Sequence, residues 1–350
     1  MPGHRSTTRL LLLLAACVPL LGAAPPPGVP AYRQFGRWLV ACDNTRSCIA
    51  RGFDEVTRAQ LQLSRPAGDA TPTLVLSAAD PFDPAALRLD GKPLALPSPA
   101  WSKDATAAST QDPAAVEAFV VAVRNGHALT LDAAPSNGDD PRTVPLDGFT
   151  AALLLVDAVQ GRPDTPTALV AARGTAAPPP VPALPPAPRW AAPPPLTRAE
   201  TARLLKEAAR LRSPGFDACN VKDAPEVHAL DAANALAIRP CYMAAYQGSS
   251  VVAVLPRAGG LARPLTLVLP GMPGPGGRGV ATDGPDMVDP GFDPATGTLS
   301  TAAKGRGSAD CGSSESWVWS DGGFRLKSLS FQDQCGGVEP GNWPTLFRTR

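Results

Sequence analysis

The chain has 350 residues, enough to bury two ordinary hydrophobic cores. Its 32 Lys and Arg nearly balance 31 Asp and Glu, a formal net charge of +1 that offers no basic surplus for a run of phosphates, so nucleic acid is not an expected partner. With 42 prolines and only 5% aromatics, the composition suits a loop-rich, β-containing protein with linkers better than a helical bundle.

Residues 1–24 read as an export signal. His4, Arg5 and Arg9 precede an apolar run from Leu10 to Leu21, and the small residues Gly22-Ala23-Ala24 follow. That run is shorter than the ~20 residues a transmembrane helix needs and contains Pro19, so no transmembrane span is expected. The stretch "LAAC", Leu14 to Cys17, resembles a bacterial lipobox and makes lipidation at Cys17 the alternative to soluble export. Pro25 directly after Ala24 hinders ordinary cleavage and favours the lipobox, whereas the short apolar core before Cys17 opposes it.

Cys17 falls outside the folded part on either reading, leaving Cys42, Cys48, Cys219, Cys241, Cys311 and Cys335. An even number in an exported chain points to disulfides in an oxidising compartment. No Cys-x-x-Cys occurs, and only His127 and His228 follow His4, so neither a redox pair nor a structural zinc site is expected; no metal and no cofactor is assigned.

A first β-rich domain is expected over residues 31–173. "GRWLVAC" and "CIARGF" read as antiparallel strands flanking the Cys42–Cys48 turn, where paired positions approach within about 4.5 to 5.5 Å, close enough for a disulfide. "AFVVAVRNGHALTLDA" reads as a hairpin turning at Asn125-Gly126, with His127 at an exposed tip. "DGFTAALLLVDAVQ" reads as the domain's single helix, from about Gly148 to Gln160. Residues 174–195, "GTAAPPPVPALPPAPRWAAPPP", are too rich in proline for a packed core and read as a semi-rigid linker, with recognition by an aromatic groove as the alternative.

A second β-rich domain, residues 196–350, opens with a helix in "LTRAETARLLKEAARLRSPG". Thr197 and Glu200 have capping-box spacing, Arg203 and Glu207 can pair four apart, and Ser213-Pro214-Gly215 ends it. Strands follow in "ALAIRPCYMAAY", "SSVVAVLP", "RPLTLVLP", "GTLSTAAK", "ESWVWS" and "GFRLKSLSF", the last two joined as a hairpin at Asp321-Gly322-Gly323. Its four cysteines allow three pairings. Cys219–Cys241 and Cys311–Cys335 keep partners near in sequence and are favoured. Loop entropies of roughly 2.4 to 4.7 kcal/mol do not choose among the pairings.

In "KGRGSADCG" the glycines could present backbone N–H groups, and Lys304, Arg306 and Asp310 make it the candidate binding loop for an anion or a peptidoglycan carboxylate. The competing reading is a tight turn that sets Cys311 against Cys335. Asp283, Asp286, Asp289 and Asp293 lack calcium-loop spacing and read as turn formers. His228 could act as a general base beside Glu226 or Asp231, but no Gly-x-Ser-x-Gly accompanies it, so no catalytic residue is assigned. Trp38, Trp317 and Trp319 are expected in the core, with a sugar-stacking surface as the alternative.

The motifs "FGRWLVACDNTRSCIARG", "PLTRAETARLL", "PCYMAAYQG", "AKGRGSADCG" and "WVWSDGGFRL" together resemble the bacterial domain-of-unknown-function 1176 family of exported six-cysteine proteins. The resemblance covers nearly all of the chain after the signal. The family's usual Gly-Asp-Cys-Gly is here Ala309-Asp310-Cys311-Gly312. Phe35, Trp38, Val40 and Cys42, with "LRLDGKPL" and "PLDGFTAAL", also resemble the invasion-associated locus B proteins. That likeness implies a sandwich-like first domain at a bacterial cell envelope and, by analogy alone, a contribution to host contact.

The expected fold class is thus β-rich (α+β), two small domains joined by a Pro-rich linker. The expected function is a non-enzymatic binding or interaction module, periplasmic or attached to the outer membrane through Cys17, with envelope proteins or peptidoglycan as partners. A periplasmic hydrolase of peptidoglycan or another glycan is the alternative.

Overall fold

The computed structural model describes residues 30–350 apart from 69–70, 98, 133–140, 216–218, 275–279, 337 and 339–340, so the expected signal and Cys17 lie outside the described residues. Among the described residues, no helix is long and apolar enough to cross a membrane. The architecture is β-rich, with several antiparallel sheets and three α-helices.

The N-terminal half is built on a seven-stranded antiparallel sheet that begins with β1 (Ala31–Phe35), β2 (Trp38–Cys42), β3 (Cys48–Phe53), β4 (Gln60–Arg65) and β5 (Thr73–Ser77) and ends with Ala107–Thr110 and Ser102–Lys103. Because side chains alternate across a strand, Trp38, Val40, Cys42, Ala50, Leu61, Leu63, Leu74 and Leu76 fall on one face and join a single core. Two helices cover that face, α1 (Pro113–Val123) and α2 (Phe149–Val159). The Trp38 indole packs against Phe149 with ring centroids 4.7 Å apart and donates its N–H to the Pro145 carbonyl at 2.8 Å.

One correction falls here. Residues 118–123, expected as the first arm of a hairpin, belong to helix α1, so this half has two α-helices where one was expected. Asp112 caps the helix by accepting from the Ala115 N–H at 2.8 Å, and Pro113 supplies its first turn. Val116, Phe119, Val120 and Val123 recur at helical spacing and are buried, which the strand-like reading of "AFVVAV" overlooked. Asn125-Gly126 still turns the chain, from helix to strand. The helix expected at Gly148–Gln160 is α2.

The opposite face of the sheet is covered too. Tyr32, Leu39, Ala41 and Phe53 belong to a second core made mainly by the C-terminal half, through Leu236, Val252, Leu299, Trp317, Leu329 and others. This explains why all five residues of "WLVAC" are buried. Polar bonds line the seam: the Tyr32 hydroxyl donates to Asp333 at 2.5 Å, and Arg51 reaches Gln332. Gly336 lies so close that a Cβ there would sit 2.0 Å from the Phe53 ring.

In the C-terminal half, α3 (Arg198–Ala208) has the expected capping box and packs Leu204 and Ala208 on Ala235, Ala237 and Leu255. The sheet beneath it pairs Glu226–Ala229, Asn234–Met243, Gly248–Pro256 and Arg263–Pro264. A second, five-stranded sheet carries the expected hairpin of Gly312–Ser320 and Gly323–Gln332, turning at Asp321-Gly322 with both residues at positive φ. The disulfides are Cys42–Cys48, Cys219–Cys241 and Cys311–Cys335, the favoured pairing.

Residues 174–195 form no helix or strand. They run as a strap held by both halves. Pro179 and Val181 pack against Gly161 and Gly68, and a Cβ at Gly297 would lie 2.1 Å from the Trp190 ring. A proline carbonyl still accepts hydrogen bonds although the residue has no N–H, and Arg257 bonds the Pro194 and Pro195 carbonyls at 2.9 and 3.0 Å. The Arg350 N–H donates to the Pro185 carbonyl at 3.0 Å.

Candidate functional site

The Lys304–Asp310 loop connects two strands of the C-terminal sheet and closes on itself. Arg306 donates Nε to Asp310 Oδ1 at 2.7 Å and a second N–H to Oδ2, while the Ser308 hydroxyl adds a bond of 2.8 Å. That carboxylate is 2% exposed, and its bond to Arg306 raises the guanidinium pKa above its ordinary value. The Gly305 N–H donates to the Cys311 carbonyl, and the Lys304 N–H to Gln247 Oε1, both at 2.9 Å. A Cβ at Gly305 would fall 2.5 Å from the Cys311 sulfur, so the glycine admits the disulfide. Asp310 oxygen and the Cys311 and Cys335 sulfurs lie within 4.8 Å of one another, but the sulfurs are joined and offer no thiolate. The loop is a filled turn around Asp310.

The aspartates of 283–293 serve four different partners. Asp283 takes the Gly284 N–H, Asp286 the Ser213 hydroxyl, Asp289 the Gly248 N–H and Asp293 the Thr296 hydroxyl. His127 is 3.1 Å from Asp147 at a site where both side chains are largely exposed. His228 Nε2 meets Glu226 Oε2 at 3.2 Å, two residues along one strand face, and its ring packs on Phe292. Asp231 does not join them. It accepts from Asn234 and from the Trp319 indole N–H at 3.0 Å. No Ser, Thr or Cys among the described residues hydrogen-bonds His228, so the pair lacks a nucleophile to activate. Trp38, Trp317 and Trp319 are all buried, and of the three Trp319 lines the groove described next.

An open groove of about 900 Å³ runs between the strap and the C-terminal sheet. Arg189, Trp190, Asp231, Trp319, Arg325 and Phe347 are among the residues that line it. Apolar walls with a few converging charges are the usual makeup of a ligand site. Trp190 and Arg189 come from the proline run, so the segment that reads as linker supplies one wall.

Two further features were not read from the sequence. Arg51 is buried in the seam with only amide partners among the described residues. Glu315 and Asp283 share one hydroxyl: Thr301 Oγ1 is 2.7 Å from Glu315 Oε2 and 3.3 Å from Asp283 Oδ2. Burial, aided by the nearby Asp283 charge, pushes the Glu315 carboxyl up to about 7, although it accepts bonds from Thr301 and Ser313. An Arg between apolar residues in "CIARGF" and a Glu inside "SSESWVWS" are the signals that could have marked them.

Comparison with known proteins settles the family. The sequence profile of the family described as "Protein of unknown function (DUF1176)" matches residues 32–350. The chain belongs to this family. It is 32% identical over 339 residues to the uncharacterized protein YpfG of Escherichia coli (strain K12), a match spanning 92% of this chain and 94% of that one. No solved structure matches. Family membership brings no assigned activity with it, so function rests on the site geometry.

Proposed function

We propose that this DUF1176 protein is an exported binding module of the bacterial cell envelope that holds a ligand or partner in the strap groove without transforming it. The groove carries the reading: it is open and mixed in character, whereas the residues that would do chemistry are tied into turns and ion pairs. Three disulfides support an oxidising compartment. Residues 1–24 then direct export to the periplasm, with lipidation at Cys17 and outer-membrane attachment as the alternative. Native mass spectrometry of the protein released from its own envelope in mild detergent tests both points. A retained ligand or partner that is lost in R189E/R325E supports the module, and the mass of the first residue decides between Cys17 and the Ala24 region.

The Glu226–His228 contact favours one second reading, hydrolysis of peptidoglycan or another glycan. Release of soluble fragments from purified peptidoglycan, abolished by H228A, would establish the hydrolase and overturn the module.

A further inference from the structure

Arg51 stands on β3 beside Gln62 of β4, on the sheet face opposite the helices, at the point where that face emerges from beneath the C-terminal half. It is 4% exposed. Its Nε and Nη2 both donate to Gln62 Oε1, at 2.9 and 2.7 Å, and its Nη1 donates to Gln332 Oε1 at 2.5 Å. A guanidinium has five N–H groups, so one on each terminal nitrogen is left over, and no described residue accepts it. No described carboxylate pairs with it either. Two amide oxygens are weak compensation for taking a cation out of water. Burial holds the guanidinium down at about 10, and it remains charged at neutral pH.

This side chain forms part of the wall of a cavity of about 470 Å³. Among the described residues, Gln60, Gln62, Ser77 and Asn342 supply its other polar groups, and none of these carries a charge. Gln60 already donates one amide hydrogen to the Ser77 hydroxyl at 3.2 Å, which leaves the Ser77 proton and the second amide hydrogen to be donated elsewhere. Among the described residues, a buried cation with two unused donors beside neutral amide and hydroxyl donors is the complement of an anion. A flat anion with two oxygens fits the guanidinium fork best.

We propose that this cavity is a binding site for the carboxylate of a small organic acid, with Arg51 as its anchor and Ser77, Gln60 and Asn342 as further donors. None of these residues lines the strap groove, so the site is independent of the function proposed above.

The test is titration of the full-length oxidised protein with sodium succinate, sodium sulfate and sodium chloride at equal ionic strength, following the unfolding temperature and heat of binding. Succinate should raise the unfolding temperature along a saturating curve that chloride does not reproduce. Arg51→Lys keeps the charge but loses the fork and should weaken succinate at least tenfold. Arg51 also bridges the seam, so the exposed Asn342 provides a variant that leaves the fold intact, and Asn342→Ala should weaken succinate severalfold. Equal, non-saturating responses to all three salts would overturn the site. So would a succinate midpoint unchanged in both variants. Sulfate competing as strongly as succinate would overturn the carboxylate assignment.

Discussion

Replacing Glu315 by Gln is expected to change how stability depends on pH. The side chain is 3% exposed, its neighbour Asp283 is acidic, and its folded-state value near 7 stands against an ordinary 4.5. The folded protein therefore holds this proton more tightly than the unfolded chain does. The resulting stabilisation is complete below about pH 4.5 and is lost as pH rises through 7. A difference of that size corresponds to about 3 kcal/mol, since each tenfold change is worth roughly 1.4 kcal/mol. Glutamine resembles the protonated acid and has no proton to lose. E315Q should lie within about 1 kcal/mol of the parent near pH 5 and gain roughly a further 2 to 3 kcal/mol by pH 8.5, with Asp283 relieved of its neighbour. Urea unfolding of both proteins, disulfides intact, at half-unit steps from pH 5 to 8.5 gives the difference directly. Contributions common to both cancel. A difference that stays within about 0.5 kcal/mol, or grows toward acid, would refute the assignment of a buried, proton-holding Glu315.

Three other outcomes are expected. D157N leaves Arg65 buried without its carboxylate, 3.1 Å away in the parent, and should cost about 3 to 5 kcal/mol in chemical unfolding; a loss under 1 kcal/mol would show the pair to be dispensable. G336A drives a methyl into the Phe53 ring and should destabilise by about 1 to 3 kcal/mol, with most of the loss recovered in G336A/F53L; no recovery would mean the seam is not the site of strain. W190A removes the aromatic that packs on Phe292 and covers Gly297, so protease should nick residues 185–191 well before the rest of the chain; an unchanged cleavage rate would show that Trp190 does not hold the strap down.

Local signals in the sequence carried far. The short spacing of Cys42 and Cys48 reports a contact made between adjacent strands, and the two strands that flank it pair as expected. Thr197 and Glu200 mark the start of α3 because a capping box is complete within four residues. The misreading of residues 118–123 came from the same locality. "AFVVAV" is β-branched enough to look like a strand until Asp112 and Pro113 are counted as a helix start. What no local rule could supply is the seam. Arg51 and Gln332 are 281 residues apart, and nothing in either neighbourhood names the other. The candidate loop was legible as a turn at Cys311, yet its one buried charge, Asp310, is held by Arg306 and Ser308 of the same loop. The groove escaped notice because one of its walls is the proline run, which composition alone marks as spacer.

The order of the disulfides along the chain bears on how the protein matures. The bonded cysteines are separated by 6, 22 and 24 positions, and no pair encloses or overlaps another. Six cysteines admit 15 complete pairings, so random oxidation would mostly be wrong. A chain threading out of a pore with its N-terminus first faces no such lottery. Each of these cysteines is followed by its own partner before a member of the next pair arrives, so an oxidant that simply couples consecutive thiols as they emerge forms all three bonds correctly. On the export proposed above, coupling of consecutive thiols in order of emergence would give the observed pairing without reshuffling.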